Sequence, residues 1–80
     1  MQTSIELTAT ARRHAETRGI LTVLQNTVPQ ADLMRGDIVE IASADEITTF
    51  VVRARRLQIR VGEEQVLVIE LDYPVRVHMN

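Results

Sequence analysis

The sequence contains no cysteine, no tryptophan and no lysine, and only one tyrosine, one phenylalanine, three glycines and two prolines in 80 residues. Without cysteine there are no disulfides, no thiolate zinc sites and no cysteine nucleophile. Phe50 and Tyr73 alone offer little with which to stack nucleic-acid bases. Three widely spaced glycines do not make a phosphate-cradling loop. No apolar run approaches the length of a membrane span, and Met1 to Glu6 lacks the basic and apolar regions of a signal peptide. A cytoplasmic location without a membrane partner is the default expectation. All nine cations are arginine, and the net charge is −2. That balance argues against a whole face built for nucleic acid, while leaving room for a local basic patch.

What is present is ordinary globular composition, 45% hydrophobic and 25% charged, read as one domain over residues 1–80. A chain this short buries about 60 to 65% of its unfolded surface. Its stability is therefore modest unless it associates, and self-association enters as an expectation from the start.

The most informative stretch is Thr48 to Val77, which reads as two long strands joined by a tight turn. Apolar residues fall on even numbers at Phe50, Val52 and Ala54, then on odd numbers at Leu57, Ile59 and Val61. A strand of period two cannot change phase without an extra residue, so a bulge is expected, placed at Arg55-Arg56. A three-residue loop of Gly62, Glu63 and Glu64 would pair Ile59 with Leu67, Leu57 with Ile69 and Arg56 with Glu70. Beyond the bulge the ladder pairs Arg53 with Asp72, Val52 with Tyr73 and Phe50 with Val75. Apolar meets apolar and base meets acid throughout.

Earlier in the chain, Ile5, Leu7, Ala9 and Ala11 alternate with polar residues and read as a strand from Thr3 to Ala11. Arg12 to Arg18 reads as a loop or single helical turn capped by Gly19. Gly19 to Val28 fits either a helix face or a β-branched strand, and the strand is favoured. Pro29 to Gly36 reads as a short turn, Asp37 to Ala42 as a strand with Val39 and Ile41 inward, and Ser43 to Glu46 as the next turn. The expected fold is all-β with at most one short helix or helical turn: a small antiparallel β-barrel, SH3-like or related, of about five strands with a bent, bulged fourth strand.

Under this register Arg53, Arg55, Arg56 and Arg60 face outward, and Arg55 and Arg60 have no carboxylate across the ladder. Val66 and Val68 would form a small exposed apolar patch beside them, so Arg55, Arg60, Val66 and Val68 are the candidate partner contacts. Pro74 cannot donate to a ladder, which suggests an open edge on the last strand. His14 and His78 have no partner at ligand spacing, so no metal site is expected. The adjacent carboxylates Glu63-Glu64 and Asp45-Glu46 lie in turns and do not converge on a substrate. No catalytic constellation and no cofactor site emerge. Arg35-Gly36-Asp37 spells a tripeptide that adhesion receptors recognise, but a turn before a strand explains it.

Gly19-Ile20-Leu21-Thr22-Val23, then Leu33, then Gly36 to Ile41, resembles the spacing of the swapped-hairpin antitoxin and transition-state regulator family over about half of the chain. The resemblance implies a dimeric DNA-binding module, with Arg12, Arg13, Arg18 and the arginine-rich strand as its basic residues. The first expectation is instead a non-enzymatic module that contacts a protein, its own copy included, of the kind common in phage and mobile-element assemblies by fold-level analogy.

Overall fold

In the computed structural model, which describes residues 1–76, four strands form one sheet that curls into a half-barrel, with two short helices against one face. In chain order these are β1 (Gln2–Leu7), α1 (Ala9–Thr17), α2 (Leu21–Asn26), β2 (Ile38–Ser43), β3 (Glu46–Gln58) and β4 (Val66–Asp72). The sheet order is β1-β4-β3-β2, so the first and last strands are neighbours and run parallel, while the other pairings are antiparallel. The expected five-stranded, wholly antiparallel arrangement is thus replaced by four strands and two helices. The bent strand is the third.

β1 ends earlier than its alternation suggested. Thr8 turns the chain: its backbone N–H donates to the Leu71 carbonyl, and its hydroxyl accepts from the Ala11 N–H as the cap of α1. Ala9 and Ala11 continue a period of two by number, but alanine is the best helix former, and Ala11 and Ala15, four apart, are both buried against the sheet. Their small side chains let the helix lie close. α1 ends in a double hydrogen bond, Ile20 N–H to the Ala15 carbonyl and Gly19 N–H to the Glu16 carbonyl, with Gly19 at φ +71°. This Schellman closure needs the left-handed residue that glycine supplies, and it buries Ile20 near Ala15.

The segment favoured as a second strand is helical. Ile20 and Leu24 are buried one turn apart, whereas the β-branched Thr22 and Val23 point to solvent. Burial of two large apolar side chains outweighs the few tenths of a kcal/mol per residue by which β-branching disfavours helix. Asp37 accepts the Met34 N–H, closing the turn at Arg35-Gly36, and β2 follows with Val39 and Ile41 toward the core.

The phase change in β3 is real, and its bulge lies between Val52 and Ala54, two residues before the expected place. Leu57 pairs with Leu67 and Val52 with Leu71, each two residues from its expected partner. A two-residue slip keeps side chains outside the bulge region on their faces, and it still leaves an acid within reach of Arg53, which binds Glu70 at 2.6 Å instead of Asp72. Neither hydrophobic pattern nor charge could separate the two registers. The bulge also turns Arg55 onto the helix-bearing face, opposite Ile69, rather than outward. Residues 59–65 form a longer connection than the three-residue loop, and β4 ends at Asp72, ahead of Pro74. β4 is not an edge: β1 and β2 are. Val77 and His78 lie outside the described residues.

The core gathers Phe50, Leu24, Ile69, Leu71 and Val52 between helices and sheet. Ile69→Ala should therefore destabilise by about 2 to 5 kcal/mol. Leu57→Ala, at a side chain 50% exposed, should cost about 1 kcal/mol or less. Urea unfolding of both variants tests this register, and equal losses would contradict it.

Candidate interaction surface

The face of the sheet away from the helices is covered by its own side chains. Val68 sits between Ser4 on β1 and Arg56 on β3, and Val66 between Gln2 and Gln58. Arg56 starts on β3, crosses β4 and reaches Glu6 on β1, with Glu70 at 3.9 Å. Neighbouring strands are about 4.8 Å apart, so the Arg56–Glu6 pair bridges two strand spacings across β4. Val66 and Val68 are only 7% and 1% exposed, and the expected open apolar patch is absent. The sequence pattern assigned their face correctly but could not reveal that β1 lies beside them.

Arg55 and Arg60 are exposed, and neither makes an ion pair among the described residues. They do not form one site. Arg55 stands on the helix-bearing face, while Arg60 lies past the end of β3 and donates to the Gln58 side-chain oxygen at 2.9 Å.

Two other features are surfaces of a different kind. The first is the β3–β4 hairpin end. Leu57, Ile59 and Val61 continue the apolar phase of the helix-bearing face, but neither helix reaches them, and they are 50%, 72% and 100% exposed. Beyond them, Glu63 N–H closes a turn on the Arg60 carbonyl, leaving Glu63 and Glu64 at the tip. Glu64 meets the terminal amino group at 2.8 Å, and Glu63 has no ion partner among the described residues.

The second is an open cleft of about 670 Å³ on the opposite face, at the other end of the sheet. Ile38 and Val51, directly paired across β2 and β3, form its floor with Val75 beside them. Arg35, Arg53 and Arg76 stand around it, and Arg35 and Arg76 have no ion pair among the described residues. These residues lie far apart in sequence, and only the fold brings them together.

One carboxylate, Asp72, lines the cleft, and it is already engaged: it accepts from the Thr8 hydroxyl at 2.7 Å and from the Tyr73 N–H at 2.8 Å. These hydrogen bonds, first that from Thr8, hold its pKa below the ordinary value, with Arg53 and Arg76 adding to them against the effect of partial burial. Nearby, the His14 ring stacks on Tyr73 with centroids 3.6 Å apart, and Phe50 meets both rings edge-on. Burial, and then the charge of Arg18, push the His14 pKa down.

Comparison with known proteins gives no match: no family model, no curated protein and no solved structure is significantly similar to this chain. Among the described residues no helix is long and apolar enough to cross a membrane.

Both depressed pKa values act in the same direction on stability. A group that binds protons less readily when folded makes stability fall with pH, here from about 6.5 downward for His14 and from about 3.8 downward for Asp72. His14→Gln should remove the upper part of that loss, seen in thermal melts between neutral and mildly acidic pH. Thr8→Val should cost about 1 to 2 kcal/mol through the lost helix cap, and should raise the Asp72 pKa measured by NMR.

Proposed function

We propose that this protein is a non-enzymatic interaction and assembly module that works by association with protein, its own copy included. The observation that carries this reading is the unfinished apolar face of the β3–β4 hairpin. Leu57, Ile59 and Val61 extend the core stripe past the last helical side chain that covers it. Exposed apolar surface of this kind, continuous with a core and rimmed by charge, is characteristic of contact sites. A chain of this size also gains proportionally more from association than a larger one. A cytoplasmic setting and assembly in the manner of phage or mobile-element subunits belong to the same reading, the latter by analogy of small curled sheets alone. SH3-like identity has the bulged, strongly bent long strand as its support, while the parallel β1–β4 pair is foreign to a purely antiparallel barrel.

DNA binding in the swapped-hairpin manner has less behind it. Arg12 pairs with Glu16 and Arg18 with Glu46, and the stretch that the resemblance needs as a strand is α2.

Light scattering over concentrations up to about 1 mM at low salt tests the proposal, since contacts this small give Kd values toward that end of the scale. The mean mass should rise with concentration. Replacing both Ile59 and Val61 by serine should suppress the rise while leaving the unfolding midpoint near that of the wild type, because neither side chain is buried. A mass that stays that of one chain throughout would overturn self-assembly.

A further inference from the structure

The geometry points to one specific contact within that reading, on which it rests: the acidic hairpin tip of one copy docks into the arginine-lined cleft of the next. The two surfaces match in composition. The tip presents a fully exposed valine, Val61, followed by Glu63 and Glu64, of which Glu63 lacks an ion partner among the described residues. The cleft presents the apolar pair Ile38 and Val51 flanked by Arg35 and Arg76, which also lack ion partners among the described residues. Val61 would meet the apolar floor while the carboxylates face the guanidinium groups, whose planar forks suit carboxylate oxygens. Asp72 carries the one carboxylate among the described lining residues, and its charge acts on Arg53 and Arg76, so the rim keeps a net positive charge and Arg35 stays without an ion pair among the described residues. About 670 Å³ of open space accommodates a turn of a few residues.

The contact cannot form within one chain. Val51 lies on the cleft floor and Gln58 ends β3, so seven strand residues at about 3.3 Å each put roughly 20 Å between the cleft and the base of the hairpin end. Tip and cleft are different surfaces, so the interface is head-to-tail rather than self-complementary. Successive copies then form a ring if the rotation closes and a filament if it does not. One such contact buries well under the about 1,200 Å² typical of stable complexes, so a single junction is weak, and closure of a ring is what would make it persist. Its ionic part weakens as salt shortens the screening length.

Because the chain has no cysteine, introduced cysteines report the contact cleanly. Chains carrying Val61→Cys mixed with chains carrying Ile38→Cys, under mild oxidation at about 1 mM and low salt, should form disulfide-linked pairs several-fold in excess of either variant alone. The excess should also exceed that of a Val61→Cys mixture with Thr22→Cys on α2. The doubly substituted chain should give a ladder of covalent multimers. Salt at about 0.5 M should suppress the excess, as should Arg35→Glu with Arg76→Glu, and Glu63→Arg in the partner chain should restore part of it. Association of the wild-type chain without this selective cross-linking would overturn the head-to-tail contact and leave the assembly reading standing. A chain that remains single throughout the concentration range would overturn the contact and self-assembly together. Capture of an added acidic, apolar peptide by the cleft of a strictly single chain would overturn self-docking in favour of a foreign peptide partner.

Discussion

The parallel pairing of β1 with β4 is the constraint from which the rest of the structure follows. Two parallel strands cannot be joined by a tight turn, so the chain must leave β1, cross over and return to lie beside it. Here the return takes two helices and two further strands. Thr8 sits where the crossing begins, with its N–H on the Leu71 carbonyl and its hydroxyl shared between the Ala11 N–H and the Asp72 carboxylate. A single residue thereby starts α1, ends the β1–β4 ladder and fixes the carboxylate at the margin of the arginine cleft.

With β4 held between β1 and β3, its two faces meet different fates. Leu67, Ile69 and Leu71 pack under the helices, while Val66 and Val68 are sealed by the neighbours of a three-strand surface. Arg56 joins Glu6 and Glu70 with its head, tying β3 to β1 across β4. Exposed ion pairs of this kind contribute at most about 1 kcal/mol. The helices, one of only nine residues and one of six, are too short to cover the whole apolar face of a thirteen-residue strand. The exposed hairpin end is the consequence.

The bulge gives β3 two environments. Before it, Phe50 and Val52 are core residues; after it, Arg55 and Leu57 occupy the same face beyond the helical cover. The bulge also brings Arg53 to Glu70, at the side of the cleft. The apolar end and the arginine-lined end of the sheet thus belong to one continuous strand, held at a fixed separation by its own ladder.

The sequence by itself determined the features that depend on neighbours in the chain. The inward phase of β1, β2 and β4, the need for a bulge in β3, the Gly19 cap and the turn at Arg35-Gly36-Asp37 were all legible, because period, turn chemistry and backbone sterics are local. Three outcomes were decided by tertiary structure. Residues 21–26 became helix because Ile20 and Leu24 found a sheet to bury against. The β3–β4 register settled two residues from the expected pairing because such a slip leaves the faces outside the bulge region unchanged and still offers Arg53 a carboxylate, while the pairing with β1 does not enter the hairpin's own pattern. The candidate surface also changed, from Val66 and Val68 to the hairpin end and the cleft of Arg35, Arg53 and Arg76. Exposure depends on which strand lies alongside and how far a helix reaches, and both are set by groups distant in sequence.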